Sequence, residues 1–144
     1  MVRILGLDLG SKTIGVAASD ELGIFAHPID TIRRGSLKND LEAISKYVAE
    51  YGASLIVVGL PINMDGTKGE SAKKAEEFAR KLGAELDIKV ELWDERLSTS
   101  AVTKAMITGD VSRAKRKKAV DKLAASYILQ GYMDMKRSAK DSSA

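Results

Sequence analysis

The sequence predicts a three-layer α/β fold in which a mixed five-stranded sheet carries helices on both faces. Its first 31 residues form three short strand-like segments separated by tight turns, which is typical of an antiparallel meander. From residue 36 onwards, helical spacing alternates with short apolar runs, the pattern of parallel strands joined by helices. The predicted element order is βββαβαβαα, with no internal repeat and no domain linker.

The three strands of the meander are predicted at residues 3–10, 13–19 and 24–31. Ser36 is a suitable N-cap for the first helix, and Gly52 is a suitable end for it. The apolar run 55–59 predicts a buried parallel strand, residues 70–82 a helix, and residues 88–93 another strand. Two helices, at about 99–108 and 116–136, complete one domain over residues 1–137, and the small polar residues 138–144 predict a disordered tail.

The composition is that of an ordinary soluble globular protein, with 44% hydrophobic and 30% charged residues in 144. Cysteine is absent, which excludes disulfides and thiolate metal sites and favours a reducing cytoplasm. No apolar run approaches the ~20 residues of a membrane span, so we expect no membrane contact. His27 is the single histidine, so a bound metal is expected to have oxygen ligands, which favours Mg²⁺ or Mn²⁺.

Asp8 is the residue that fits its predicted element least well. It lies near the end of the first strand, whose other residues suit a buried strand and its exit turn. An ionised carboxylate is rarely buried without a partner, because losing its hydration costs several kcal/mol. Asp8 therefore either caps the turn at Gly10 and Ser11 or belongs to a functional site.

A second acidic position follows the strand at residues 88–93. Asp94 and Glu95 both lie at its carboxyl end, and alternation along the strand does not choose between them. The structural alternative is a polar strand exit in which Arg96 pairs with one of the two. The carboxyl ends of parallel strands meet at one edge of a sheet, where ligands commonly bind.

The third acidic position is Asp121, in the last predicted helix. It stacks over Ala124, Ala125 and Ile128, at i+3, i+4 and i+7, on a small and apolar surface. A salt bridge to a neighbouring lysine would stabilise the helix by only a few tenths of a kcal/mol, which is little return for desolvating a charge. We therefore favour a functional role for Asp121.

Together the three acidic positions predict a metal site at the carboxyl edge of the sheet. Two of them end strands, and the third lies on a helix that could cover the same edge. Converging carboxylates repel one another unless a divalent cation lies among them. Two ions about 4 Å apart are the usual requirement for metal-assisted hydrolysis of a phosphodiester.

Positive charge is concentrated in residues 111–118, whose five basic side chains exceed the net charge of +3 for the whole chain. Several fall near the start of the last helix, where the macrodipole disfavours cations by about 0.3–1 kcal/mol each. A phosphate backbone explains this placement better than fold stability does, although a solvated charge run is the alternative. Aromatic residues, at 5%, are too few to favour base stacking. The basic residues are Arg113, Lys115, Arg116, Lys117 and Lys118.

The segment 59–69 contains Pro61 and three glycines and leads into a predicted helix N-terminus. Such a terminus can receive a phosphate, because its first backbone N–H groups have no partner within the helix. The alternative is a plain connecting loop.

Four stretches of the chain together resemble the YqgF/RuvX family, the Holliday-junction-resolvase-like proteins associated with cleavage of precursor ribosomal RNA. They occur in the order found in that family and span nearly the whole chain. The stretches are LGLDLGSKTIGVAASD at 5–20, VGLPINMDGT at 58–67, WDERLST at 93–99, and SRAKRKKAVDKLAA at 112–125 followed by ILQ at 128–130.

The resemblance implies a ribonuclease-H-like fold and a metal-dependent endonuclease. It implies that Asp8, Glu95 and Asp121 form an acidic triad that binds the metal and carries catalysis, which would choose Glu95 over Asp94. It also implies a role in maturing the 5′ end of precursor 16S ribosomal RNA. A chain acting in this way is expected to be a monomer or a weak homodimer.

One position departs from the family pattern. Many members carry arginine where this chain has Thr13, so a substrate contact made there would be absent or would fall to Lys12. Lys12 and Arg96 therefore join the basic residues of 111–118 as predicted nucleic-acid contacts.

Three functions fit these residues. The first is a nuclease acting on precursor rRNA or on branched DNA such as a Holliday junction. The second is an ATPase, because residues 8–13 also resemble a phosphate loop of actin-like ATPases and sugar kinases; those enzymes need two such domains, and this length supplies one. The third is a nucleic-acid-binding protein without catalysis, acting in ribosome assembly or transcription.

Overall fold

The structure, a computed structural model, describes residues 3–97 and 113–142, with side chains for residues 3–97 and 122–138. Its sheet has five strands in the order β3-β2-β1-β4-β5. Strand β1 pairs antiparallel with β2 and parallel with β4, so the predicted mixed sheet is confirmed. The strands are β1 (Arg3–Leu9), β2 (Thr13–Ser19), β3 (Ala26–Arg33), β4 (Ala53–Leu60) and β5 (Lys89–Asp94).

Helices α1 (Leu37–Tyr51) and α2 (Glu70–Leu86) cover one face of the sheet, and α3 (Arg113–Ser142) covers the other. The predicted layers are therefore confirmed. The ends of α1 are those predicted: the Ser36 hydroxyl accepts a hydrogen bond from the Asn39 N–H at 3.1 Å, and Gly52 adopts the left-handed conformation at φ 62°.

Two of the differences in extent from the prediction are explained by local contacts. Strand β3 begins two residues later than predicted, because the Asp20 carboxylate accepts hydrogen bonds from the backbone N–H groups of Ile24 at 2.8 Å and Phe25 at 3.3 Å. These bonds hold both residues in the turn, and they lower the pKa of Asp20. Helix α2 continues past residue 82 to Leu86, because Gly83 allows it to pack closely on the chain entering β5.

Helix α3 is longer than predicted at both ends. It extends beyond residue 136 to Ser142, through residues that include neither glycine nor proline. The helix predicted at 99–108 lies outside the described residues, and the domain limits at 1–137 stay a prediction. No helix in the described ranges is long and apolar enough to cross a membrane.

The two faces of the sheet are packed differently. The face under α1 and α2 is filled by large aliphatic side chains, including Leu5, Leu7 and Ile56, all with 0% exposure. On the other face α3 comes very close to the strands: a Cβ added at Gly6 would lie 2.7 Å from the Leu129 Cβ. The α3 face therefore depends on small residues for its fit.

Trp93 is the largest residue on the α3 face. Its ring meets that of Tyr132 edge to face, with 6.1 Å between the centroids. Its indole N–H is buried and has no hydrogen-bond partner within the described residues. It lies close to Gly131, so α3 is held against β5 by a wide apolar contact.

Candidate active site

The carboxyl ends of β1, β4 and β5 lie side by side at one edge of the sheet, as their parallel pairing requires. Asp8 lies at this edge and is 3% exposed. Alternation along β1 places it on the same face as Ile4 and Gly6, the face that α3 covers. The conflict between a carboxylate and a buried strand, which singled out Asp8 in the sequence, is therefore present in the fold.

Gly59 links the position of Asp8 to that of Glu95. Strands β1 and β4 pair Leu7 with Val58, so Gly59 follows directly beside Asp8. A Cβ added at Gly59 would lie 3.1 Å from the Cγ and 3.2 Å from the Cδ of Glu95. The Glu95 carboxyl group therefore occupies the space that a larger residue at position 59 would fill. Asp8 and Glu95 lie at the same end of the same face.

Asp94 has a different environment from Glu95. Its carboxylate accepts hydrogen bonds from the Arg96 guanidinium, at 2.8 Å from Nη2 and at 3.1 and 3.2 Å from Nε. These bonds lower the pKa of Asp94 below its usual value and raise the pKa of Arg96 above its own. The polar strand exit with an arginine pair, predicted as the structural alternative, is thus found at Asp94.

Position 121 lies on α3 at the level of Asp8. Helix α3 runs antiparallel to β1: Met133 lines a groove together with Ile4, and Ala125 contributes its carbonyl beside Gly6. The next turn towards the helix N-terminus, which contains position 121, is therefore level with Asp8. The side chain of Asp121 is not among those described, so its place in the triad stays a prediction.

The small apolar surface predicted beside position 121 is confirmed. Ala124, Ala125 and Ile128 all have 0% exposure. Among the side chains of residues 3–97 and 122–138, no three histidine, aspartate or glutamate residues form a group that could hold a metal ion. The two predicted triad members within those ranges are Asp8 and Glu95, which both lie beside Gly59.

The predicted nucleic-acid contacts belong to three segments of the chain. Lys12 is exposed in the turn between β1 and β2, immediately beyond the strand that carries Asp8. The five basic residues of 111–118 lie in the first turns of α3, in a part of the helix whose side chains are not described. Arg96 pairs with Asp94. All of these contacts stay predictions.

The segment 61–69 is an ordered loop beside the same edge. Asn63 and Thr67 are joined by a backbone hydrogen bond of 3.0 Å, and the Asp65 carboxylate accepts two hydrogen bonds from Thr67. These bonds lower the pKa of Asp65. Gly66 turns the chain at φ 89°. The loop is thus a closed turn with its own polar contacts, which the sequence did not predict.

Sequence reasoning also missed a second buried carboxylate. Asp40, in the first turn of α1, is 3% exposed. Its oxygens accept a hydrogen bond from the Gly35 N–H at 2.9 Å and lie 3.6 Å from the Arg34 Nε. The signal was a run of Arg34, Gly35 and the N-cap Ser36 just before the acid, which is typical of a structural cap.

Comparison with known proteins adds the family to this geometry. The RuvX family model, described as Holliday junction resolvase, matches residues 2–135. The chain belongs to the RuvX family. A relative from Clostridium beijerinckii, whose name describes a pre-16S rRNA nuclease, is 55% identical over 93% of this chain and 97% of its own length. The family resemblance seen in the sequence is confirmed.

Solved structures agree on the fold. RuvC of T. thermophilus, in complex with a Holliday junction substrate, matches with a TM-score of 0.57 and 12% identity over 94% of this chain and 96% of its own. The resolvase of Fowlpox virus, in complex with Holliday junction DNA, matches with a TM-score of 0.54 and 16% identity over 93% and 98% of the two chains. The ribonuclease-H-like fold of this RuvX member is therefore confirmed.

Proposed function

We propose that this RuvX-family protein is a divalent-metal-dependent endonuclease that hydrolyses phosphodiesters of structured nucleic acid, and that precursor 16S rRNA is its substrate. The observation that carries the proposal is the position of Asp8 and Glu95, which both lie beside Gly59 at the carboxyl edge of the sheet. The relatives whose names describe pre-16S rRNA nucleases support the choice of substrate.

The donor atoms of this edge fit a hard divalent cation. Asp8, Glu95 and Asp121 would supply carboxylate oxygens, and oxygen donors suit Mg²⁺ and Mn²⁺. When bound at such a site, these ions activate a water molecule and stabilise the leaving oxygen of a phosphodiester. The proposal assigns both the metal-binding and the catalytic role to these three residues.

The surrounding residues have positioning roles in this proposal. Asp8 is fixed by pairing on both sides of β1, opposite Gly15 of β2 and beside β4. Gly59 keeps open the space that the Glu95 carboxyl group occupies. Ile128 and Ala125, both fully buried, exclude water from below the site. The two carboxyl groups are thus held in place before substrate binds, which is what efficient catalysis requires.

The basic residues would hold the nucleic-acid backbone across this edge. Lys12 lies on one side of Asp8, and the segment 113–118 lies on the helix that covers it. Contacts of this kind fix the register of the backbone without reading sequence, and they make binding dependent on salt. We expect a monomer or weak homodimer acting in the cytoplasm, where precursor rRNA is processed.

A second substrate is favoured by one observation. The family model that matches residues 2–135 is described as Holliday junction resolvase. A four-way DNA junction offers the same phosphate chemistry, and two symmetric cuts would need two copies of the chain. RNA and junction DNA are therefore the two substrates to compare.

The test is a cleavage assay of a precursor 16S rRNA fragment against a four-way DNA junction, each with Mg²⁺ or Mn²⁺. We expect wild-type protein to cut the RNA near the mature 5′ end and Asp121→Asn to cut neither substrate. Cleavage of the junction alone would change the substrate to DNA. Tight RNA binding without cleavage under either metal would contradict the proposed nuclease activity and would favour a nucleic-acid-binding protein without catalysis.

A further inference from the structure

Glu95 lies inside a closed turn made by the two residues that flank it. The Asp94 Oδ1 accepts a hydrogen bond from the backbone N–H of Arg96 at 2.9 Å, so the turn closes around Glu95. This is an Asx-turn, in which an aspartate side chain replaces a backbone carbonyl as the acceptor. It starts the short 3-10 helix Glu95–Leu97 at the end of β5.

The Arg96 guanidinium closes the same turn from the outside. Nη2 and Nε both donate to the Asp94 carboxylate, the fork geometry that lysine cannot reproduce. The remaining Nη1 reaches the Asn63 carbonyl at 3.5 Å and lies 3.8 Å from where a Cβ at Gly66 would be. One arginine therefore joins the end of β5 to the loop at 61–69.

The opposite side of the turn is equally constrained. The Glu95 side chain lies against the backbone of Gly59, and Gly59 is paired with Trp93 of β5. Rotation of the peptide at Glu95 would either break the Asp94 hydrogen bonds or move its carboxyl group off Gly59. The contacts of its neighbours thus restrict the direction of the Glu95 side chain.

We propose that Asp94 and Arg96 form a clamp that positions Glu95 and the loop 61–69 for the nuclease reaction. Arg96 is a positioning residue that acts through Glu95 and the loop. The proposal rests on the proposed function, because it assigns Glu95 to the metal site. A phosphate contact is the competing role for Arg96, and it would require the guanidinium to leave Asp94, Asn63 or both.

Arg96→Lys separates the two roles, because lysine keeps the positive charge but loses the fork. The clamp predicts that Arg96→Lys and Asp94→Asn each lower kcat by roughly tenfold or more, since small misplacements of a reacting group are costly. It predicts an unchanged KM and a double variant no slower than either single one, because both changes break the same pair. A phosphate contact predicts that Arg96→Lys retains activity.

Nucleic-acid affinity in EDTA gives a readout that does not depend on turnover. With the clamp, Arg96→Gln and Asp94→Asn leave the affinity and its salt dependence unchanged. A phosphate contact would lower the slope of log affinity against log salt by about 0.7–0.9 in Arg96→Gln and would not weaken binding in Asp94→Asn. That pair of results would overturn the clamp.

The matched control is the Arg137–Asp134 pair, an exposed salt bridge at the far end of α3. Arg137→Lys and Asp134→Asn should leave kcat and KM unchanged. If the Arg96 and Asp94 variants lowered only the melting temperature, as a purely structural pair would, the clamp would be wrong.

Failure of the proposed function is distinguishable. If wild-type protein cleaved neither substrate, the proposed nuclease activity would be wrong. The clamp could still be tested by metal binding, measured as the rise in melting temperature on adding Mn²⁺. That rise should vanish in Asp8→Asn and shrink in Arg96→Lys while the control pair retains it. An undiminished rise in Arg96→Lys would overturn the clamp.

Discussion

Asp8 and Asp40 are both 3% exposed, yet their surroundings differ. Asp40 lies at the start of α1, where its oxygens meet the Gly35 N–H and the Arg34 guanidinium. Asp8 lies on the α3 face, where its neighbour on β4 is Gly59. Glu95, at the end of β5, lies against that glycine. Burial of a carboxylate therefore does not identify a catalytic site. On the α3 face a second acid, Glu95, also lies beside Gly59, and this makes Asp8 part of the candidate site.

The two faces of the sheet repeat this contrast. The α1 and α2 face is a core of large aliphatic residues, whereas the α3 face combines close helix packing with the acidic edge. Substitutions on the first face should act on stability alone, whereas substitutions at the carboxyl edge of the second face, beside Asp8 and Glu95, should also act on cleavage.

The largest effect is expected for Asp8→Asn compared with Asp40→Asn. Asp8→Asn removes a proposed metal-binding charge and should lower the cleavage rate roughly a thousandfold or more, about 4 kcal/mol of barrier. Asp40→Asn should leave the rate within about twofold at a temperature where the protein is folded. Single-turnover cleavage measures both. Equal losses of cleavage rate in the two variants would contradict the proposed difference in role between Asp8 and Asp40.

Gly59→Ala compared with Gly6→Ala separates packing from chemistry on the α3 face. The added methyl group would meet Ile128 at 2.6 Å at one site and Leu129 at 2.7 Å at the other. Each should destabilise the fold by about 1–3 kcal/mol. Only Gly59→Ala should also reduce cleavage by folded protein, because its methyl group meets Glu95. Urea unfolding with parallel cleavage assays tests this, and equal activity of both variants would contradict it.

Asp40→Asn should have a smaller effect, and on stability alone. It weakens the contacts to Arg34 and the Gly35 N–H and should lower the free energy of unfolding by about 1–2 kcal/mol, because Arg34 is partly exposed. Denaturant unfolding of Asp40→Asn against wild type measures the loss. A stability equal to wild type would show that this buried pair contributes nothing.

The smallest effect is expected at alkaline pH. Burial and a hydrogen bond to Asp30 raise the pKa of Tyr47 to about 12, whereas an unfolded tyrosine ionises near 10. The stability from this raised pKa is complete below pH 10 and is lost as the pH rises towards 12. The free energy of unfolding should therefore fall less in Tyr47→Phe than in wild type as the pH rises from 10 towards 12. Denaturant unfolding of both proteins at pH 9 and pH 11 measures this difference. Identical pH profiles would contradict the contribution of Tyr47.

On the other face, Tyr132 repeats the arrangement with Glu91. Its pKa is raised above its usual value by burial and by that hydrogen bond. Tyr132→Phe therefore offers the same measurement under α3, and the two variants together compare the faces directly.

Local signals made most of the fold predictable. Ser36 and Gly52 fixed the ends of α1 because caps act over a few residues. The start of β3 was not predictable in this way, since it depends on where the Asp20 side chain bonds. The run of Arg34, Gly35 and Ser36 indicates a cap before Asp40, but the burial of Asp40 depends on Arg34 folding back over it, which the run does not show.

The candidate site shows the same limit. Asp8 was visible because it conflicts with its own strand, but alternation could not choose between Asp94 and Glu95. Two features of the structure separate them: the local Arg96 fork engages Asp94, and the missing side chain of Gly59 on the neighbouring strand leaves space for Glu95. The family resemblance indicated the same choice for Glu95, and its catalytic role stays a proposal.

The position of Trp93 gives the protein a built-in optical probe. It is the single tryptophan of the chain, is 8% exposed, and lies two residues before Glu95 against α3. Its emission should be blue-shifted while α3 is docked and should move to longer wavelength when water reaches the indole. Tryptophan fluorescence would therefore follow local opening of the α3 face, and backbone circular dichroism would follow unfolding of the whole sheet.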